Sequence, residues 1–387
     1  MANLKVNTVS GIGTEGPVLN GGLHFRSKNY LTLPKGTTAE RTATSSGIST
    51  EIGSIRYNTD SNKMECYVNN KWMIVSTSSP NLSQSGESAV GARAIIHMGY
   101  GPANKNTINA MNMAVGGTAI DFGNSTISAR QQTSCSSRTR ALRGGGYSGS
   151  GSPGYEDTID FVTISSTGDA TDFGDLTQER GGSPGALASA TRGVFAGGYR
   201  GGPSVKFDII DFVTIASTGD AKDFGDLVAE VGGVGTGAAS PIRGVFFGGY
   251  NPSGSFNTIQ FITIATTGNT KDFGDCVTTV RTGTGASNAT RGLYMGGQRP
   301  SLSSSNTIEF ITIASTGNST DFGDLDSASD MGASAASPTK AIHQRAVGTT
   351  SNVCAVMIST QGDAIDFGDL TETAAQTSGC SNAHGGL

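Results

Sequence analysis

Apolar and polar positions recur along most of this chain in one long period. In the copy that starts at Thr191, an apolar run, "TRGVFAGGY" (Thr191–Tyr199), ends in a Gly pair and is followed by a polar loop, "RGGPSVKF". Two mixed runs follow, "IIDFVTIA" (Ile209–Ala216) and "AKDFGDL", joined by "STGD". Each run predicts a β-strand. The turn between them predicts a tight hairpin, with Gly219 supplying a positive φ that Asp220 also tolerates. The Gly/Ser/Ala-rich segment "VGGVGTGAAS" predicts a fourth strand before the next copy. In "IDFVTI", Ile, Phe and Thr point one way and Asp, Val and Ile the other. Such a mixed pattern fits strands covered on both faces.

The tripeptide Asp-Phe-Gly marks the phase of the repeat, at Asp121, Asp172, Asp223, Asp272, Asp321 and Asp366, with steps of 51, 51, 49, 49 and 45 residues. That spacing is close to a β-propeller blade of the kelch type, which is about 50 residues. The predicted architecture is all-β: a six-bladed propeller over residues 92–387, preceded by a small β module (1–80) and a linker (81–91). One unit alone exposes its apolar faces; six arranged radially cover them and leave few open edges. The final residues, "GCSNAHGGL" (Gly379–Leu387), align with "GASNATRGL" (Gly285–Leu293). Thr377–Ala383 is therefore expected to pair beside Ala92–Gly99 and join the two ends of the array.

Within the first module, "SIRYNT", "MECYVN" and "WMIVS" predict a meander, with turns at Asp60, Asn62, Asn69 and Asn70. "STSSPNLSQSGES" (Ser76–Ser88) reads as a flexible linker.

Composition supports the β reading. There are 57 Gly, about twice the usual share, while 15% of residues are charged and 35% hydrophobic. The net charge of −5, with no basic run, argues against nucleic-acid binding. The N-terminal residues lack the apolar core of a secretory signal, and no stretch is long and apolar enough for membrane insertion. Cys66, Cys135, Cys276, Cys354 and Cys380 are scattered and read as free thiols, with no metal or other cofactor implied.

Candidate chemistry is sparse. Asp-Phe-Gly here lacks the companions it has in protein kinases and recurs six times, so it reads as structural. "DATDFGD" (Asp169–Asp175) holds three carboxylates that alternate along a strand, which fits bonds to nearby backbone amides better than calcium. His24, His97, His343 and His384 share no phase and read as packing or surface groups. Arg93, Arg140, Arg192, Arg243, Arg291 and Lys340 share one phase. They are expected either to pair with an Asp such as Asp175 or its equivalents, or to form a ring that takes an anion. The sequence spends its information on sameness, which argues against catalysis. The loops after the Gly pairs vary most. Tyr100, Tyr147, Tyr199, Tyr250 and Gln298 occupy one equivalent position on them, and Tyr155, Arg200, Asn251 and Arg299 lie beside it. These residues form the candidate recognition surface. The alternative for each Tyr is packing on its own Gly pair.

The repeat "RGVFxGGY…IDFVTIASTGxAxDFGDL" resembles kelch-type repeats of structural proteins in tailed phages, particularly those infecting marine bacteria and cyanobacteria. Asn7–Arg41 and Gly53–Val75 resemble N-terminal modules of tail-fibre and virion-surface proteins. The end copies depart from the pattern, with "AMNMAVGGTAIDFGN" in the first and "AIHQRAVGTT" in the last. The resemblance implies a non-enzymatic virion protein, assembled in the host cytoplasm. Residues 1–80 would attach it to other virion proteins and form a homo-oligomer, a trimer among the states such modules adopt. The propeller would contact a host-surface glycan or protein. A capsid decoration protein and a carbohydrate-active enzyme are the alternatives.

Overall fold

The computed structural model describes residues 33–42, 52–61, 63–69, 71–74, 92–149, 154–201, 205–235 and 237–387. The chain divides into two compact units, Met1–Leu82 and Ser83–Leu387. The described residues are all-β apart from one 3-10 turn, Ala39–Thr42, and form seven sheets. The reading of the linker, and of the module before residue 33, falls outside the described residues.

In the first unit, the expected meander is present as Ile55–Asn58, Lys63–Val68 and Lys71–Ile74. A short strand not foreseen, Lys35–Gly36, adds in parallel to Ile55–Asn58. Arg41, from the 3-10 turn, reaches the fully buried Glu65, which also accepts a 2.9 Å bond from Asn58. The hydrogen bonds from Arg41 hold the Glu65 carboxyl below its usual range against the opposing effect of burial.

The second unit holds six sheets, numbered I to VI here. Sheet I combines Ser378–Ser381 with Arg93–His97, Lys105–Asn112 and Ile120–Ala129. Sheet II is Thr133–Ser136, Arg140–Tyr147, Tyr155–Thr163 and Thr171–Asp175; sheet III is Gly185–Ala188, Arg192–Ala196, Phe207–Thr214 and Lys222–Val231. Sheet IV is Ala238–Ala239, Arg243–Phe247, Gly254–Thr263 and Lys271–Val280, with Tyr250–Asn251 as an added hairpin strand. Sheet V is Thr284–Ser287, Arg291–Met295, Ser305–Thr312 and Thr320–Ser329; sheet VI is Ala333–Ala336, Lys340–Gln344, Thr350–Met357 and Ile365–Ala374. The Gly/Ser/Ala-rich segment does carry a strand, and that strand opens the following sheet. In sheet I this first strand comes from the chain's other end, with Ser378–Ser381 antiparallel to Ala94–His97. Both atypical copies build ordinary four-stranded sheets, I and VI.

The first strands of all six sheets line one cavity of about 40 Å³. They are made of small residues, and their hydroxyls bond across to the adjacent sheet. Ser136 Oγ donates to the Ser381 carbonyl at 2.7 Å, and Ser334 Oγ donates to Gly285 at 2.7 Å. At the start of these strands a series of backbone bonds runs from sheet to sheet. The amides of Gln131, Ser183, Gly233, Thr282, Met331 and Thr377 donate to carbonyls of Gln376, Gln131, Gly182, Gly233, Thr282 and Met331. Gln131, Ser183, Thr282, Met331 and Gln376 have positive φ here. At the opposite end the last residues cross several sheets. His384 Nε2 lies 2.8 Å from the Ser136 carbonyl, and the Gly385 amide donates to Ser287 at 2.8 Å.

The repeated motif is an inter-sheet fastener. The Phe of each of the first five Asp-Phe-Gly copies is buried, and its carbonyl accepts an amide from the next sheet's hairpin turn: Gly168 to Phe122 at 2.8 Å, Gly219 to Phe173 and Gly268 to Phe224 at 2.7 Å. The sixth, Phe367, is half-buried and accepts Gly117 of sheet I at 2.8 Å. The Gly after each Phe sits at a register shift with positive φ, pressed against that turn. A Cβ on Gly225 (φ +141°) would lie 2.5 Å from the Gly268 carbonyl carbon, whereas one on Gly219 (φ +145°) meets nothing within 4 Å. Gly225→Ala is therefore expected to cost about 2–5 kcal/mol, strain plus clash, and Gly219→Ala about 1–3 kcal/mol, strain alone. Urea midpoints of the two variants check the order.

One reading of charged residues needs correction. The in-phase cations neither pair with Asp nor form an anion ring. Each donates to a carbonyl of the next sheet: Arg93 to Ile164 (2.8 Å), Arg140 to Ile215 (3.0 Å), Arg192 to Ile264 (3.0 Å), Arg243 to Ile313 (2.8 Å), Arg291 to Ile358 (2.9 Å) and Lys340 to Ala114 (3.0 Å). Four of them also lie 4.4–4.5 Å over Phe161, Phe212, Phe261 and Phe310. Within "DATDFGD", the amide-bonding group is the turn residue. Asp169 accepts from the Asn124 amide at 2.9 Å across sheets, and Asp220 accepts from Asp175 at 3.2 Å. The motif's own Asp121, Asp172, Asp223, Asp272, Asp321 and Asp366 are exposed.

A further equivalent position, Asn109, Asp160, Asp211, Gln260, Glu309 and Cys354, is buried in all six sheets. In the first five copies its oxygen accepts a backbone amide of the preceding sheet, from Thr371, Thr126, Thr177, Val228 and Val277, at 2.8–3.1 Å. Three of these oxygens belong to carboxylates, each with its own arginine. Arg143 pairs with Asp160 through two bonds of 3.0 Å, Arg180 with Asp211, and Arg299 with Glu309.

A tyrosine and cation arc as candidate functional site

The second strand of sheets I to V runs away from the tail and ends at a Gly pair (Met98 and Gly99 in sheet I), so the residue after it stands where the variable loops leave the fold. In sheets I to IV that residue is Tyr100, Tyr147, Tyr199 and Tyr250, and in sheet V it is Gln298. Each is fixed by a backbone bridge to a residue beyond the fourth strand of the preceding sheet: Tyr100 to Ala375, Tyr147 to Arg130, Tyr199 to Gly181, Tyr250 to Gly232 and Gln298 to Arg281. All five are half-buried.

The structure brings these residues into one continuous arc, with a filler between each successive pair. The Arg130 guanidinium lies 4.9 Å from the Tyr100 ring and 5.1 Å from Tyr147. Tyr155 stands edge-on between Tyr147 (5.0 Å) and Tyr199 (5.8 Å). Lys206 Nζ lies 4.2 Å from both the Tyr199 and Tyr250 rings. Arg281 lies 4.6 Å from Tyr250 and donates from Nε to Gln298 Oε1 at 2.9 Å. Gln298 Nε2 then donates to Asp330 at 2.7 Å, where the arc ends. Two of the tyrosines reach glycines outside their own Gly pairs. Tyr199 lies over Gly182 and Tyr250 beside Gly233, where a Cβ would come within 1.8 Å and 2.9 Å of the rings.

The fillers come from two positions that trade off. One is nine residues after the Asp-Phe-Gly Asp: Arg130, Gly181, Gly232 and Arg281. The other is five residues before the buried polar position: Asn104, Tyr155, Lys206 and Ser255. Where the first is Arg, the second is small; where the first is Gly, the second is large. Sequence reading missed Arg130, Lys206 and Arg281, although aligning the copies at these two offsets displays the alternation.

Burial pushes the Tyr199 phenol up to about 12 and raises Tyr250 as well, so both stay protonated donors at neutral pH. Tyr199 Oη donates to Gln131 at 3.2 Å. Burial, with Arg281 nearby, pulls Lys206 down to about 8, and its Nζ is buried with no hydrogen-bond partner. Three candidates stand apart from the arc. Arg200 is exposed, 3.6 Å from Glu179; Asn251 accepts the Ser253 amide at 2.8 Å within its hairpin; Arg299 is tied to Glu309 and Thr278. Among the described residues no group of His, Cys, Asp and Glu is placed to hold a metal ion.

Comparison of the sequence with protein-family models and with curated proteins finds no match.

Proposed function

We propose that sheets I to VI are the blades of a six-bladed, kelch-like β-propeller. The cation-to-carbonyl bonds, the Phe-carbonyl fasteners and the backbone bonds at the first strands support this reading. Each set passes from one sheet to the next and arrives back at sheet I. The protein is a non-enzymatic component of a tailed-phage particle, attached to other virion proteins through residues 1–80 as a homo-oligomer. Its loop-bearing end meets a host-surface glycan or protein, and many copies per particle turn weak single contacts into firm attachment. The observation that carries the binding reading is the arc itself, a continuous polar and aromatic surface at the end where the copies differ most. The virion reading rests on the resemblance of the repeats and of the N-terminal module.

Labelled protein is expected to bind intact host cells. Replacing loops 148–154 and 200–205 by short Gly-Ser turns is expected to lower retention at least tenfold while leaving the melting temperature in place. Antibody against the chain is expected to mark tails or fibres on particles. Marking of the capsid lattice, with host binding insensitive to the loops, would replace this reading by the decoration role. Release of sugar from host polysaccharide would replace it by the enzymatic one.

A further inference from the structure

Arg130, Lys206 and Arg281 lie in one arc, and none of them is in an ion pair among the described residues. Four carboxylates on the flanking strands are engaged elsewhere, and Asp157, Asp208 and Glu230, also on these strands, form no ion pair with the three cations among the described residues. Glu156 takes Ser148, Glu179 lies by Arg200, Asp330 takes Gln298, and Glu372 takes Lys105. The adjoining loop residues 150–153 and 202–204 contain no acid. The chain as a whole is acidic, at −5, so three cations with no carboxylate partner in one arc stand out against it. They are held by tyrosine rings, which stabilise a cation without neutralising it. Lys206 and Arg281 share the Tyr250 ring, so two like charges stand close together in a half-buried setting where Coulomb terms exceed their value in water. The rings are engaged with cations and with one another. The charge nearest the surface sits on the half-buried Arg130 and Arg281, and open ring faces for stacking a neutral sugar are in short supply.

Resting on the reading that this end binds a host-surface ligand, we propose that the ligand is an acidic glycan, a carboxylated or sulfated sugar chain lying along the arc from Tyr100 to Gln298. Its anions meet the half-buried Arg130 and Arg281, and its hydroxyls meet the polar groups of the arc. Lys206, sealed beneath, adds potential without contact. An incoming anion relieves the repulsion between Lys206 and Arg281. That relief favours acidic over neutral chains, and added salt weakens it.

The test uses the full chain with three probes: polygalacturonate, dextran sulfate and neutral dextran. Binding to at least one acidic polymer is expected, with neutral dextran at least tenfold weaker and affinity falling as salt rises. Arg130→Gln with Arg281→Gln is expected to lower acidic-polymer binding at least tenfold. On the unaltered protein, the bound acidic polymer is expected to protect Arg130 and Arg281 from phenylglyoxal, read by mass spectrometry, which serves if the double variant fails to fold. The ratio of affinities for the two charged polymers separates carboxylate from sulfate as the preferred anion. Acidic-polymer binding that ignores the double substitution and leaves both arginines reactive would overturn the proposal. Loop-dependent binding to host cells, together with no affinity for either acidic polymer, would overturn it while leaving host recognition standing. Failure of host-cell binding itself would remove both.

Discussion

A chain ending at Ala374 is expected to lose the cooperative unfolding transition of the second unit. Sheet I takes its first strand from Ser378–Ser381, so truncation strips the partner from Ala94–His97, residues at most 1% exposed. The bridge of Tyr100 to Ala375 goes too, with bonds of 2.7 and 2.8 Å, as does the 2.8 Å bond from the Arg93 amide to Asn382. Ser134 loses Ser378 at 2.6 Å, and Gln344 of sheet VI loses Thr377 at 2.6 Å. Each buried backbone group left without a partner costs about 1–3 kcal/mol, and several such losses match the 5–15 kcal/mol that holds an ordinary domain together. Scanning calorimetry of the truncated and full chains decides the matter. A truncated chain that melts at the same temperature would show that the sheets hold without this closure.

The second large effect is expected from Asp160→Ala. Asp160 is fully buried and Arg143 is 1% exposed, so removing the carboxylate strands a guanidinium in the interior and takes the acceptor from Thr126. The expected loss is about 3–5 kcal/mol, read from urea midpoints. Replacing both partners, Arg143→Met with Asp160→Leu, is expected to recover most of it, because no charge then remains buried; Thr126 and the Gly145 carbonyl stay short of a partner. Burial alone would raise the Asp160 carboxyl; the charge and hydrogen bonds of Arg143 outweigh it and hold the group below its ordinary value. Nearby His97 is pulled by burial from 6.5 to about 4, as are His343 in sheet VI and His384. Between pH 6.5 and 4 the unfolded chain therefore binds protons that the folded chain refuses, and stability falls as pH falls through that window. Asp160 adds its loss below about pH 4, as the pH drops through its lowered folded value. His97→Gln with His343→Gln and His384→Gln is expected to flatten the upper part of this profile and leave the lower part. A profile unchanged by that set would place the acid sensitivity elsewhere.

Strands and phase were legible because they are local. "STGD" demands a hairpin wherever it stands, and Asp-Phe-Gly recurs too regularly to be missed. The partners across sheets were not legible. Arg140 was expected to seek a carboxylate because acids are visible in a sequence. Its acceptor is the carbonyl of Ile215, and every residue owns a carbonyl. The buried Asp160 and Asp211 looked like ordinary members of a mixed strand, and their burial depends on how the preceding sheet overlaps them. Tyr100, Tyr147, Tyr199 and Tyr250 were recognisable from equivalence alone. The groups between them were not, since Arg130 and Lys206 occupy different positions of their copies and meet similar rings only in three dimensions.

The two filler positions lie 26 residues apart in each of the first four copies, from Asn104 to Arg130, Tyr155 to Gly181, Lys206 to Gly232 and Ser255 to Arg281. Both belong to the same copy, so a gene rearrangement that exchanges whole copies carries a matched set. A crossover inside that interval would join Tyr155 to an arginine, crowding one gap, or Asn104 to a glycine, emptying another. Duplication and loss of repeats in this lineage should therefore leave their seams in the Gly/Ser/Ala-rich segments, and chimeras spliced there should assemble where those spliced between the third and fourth strands do not.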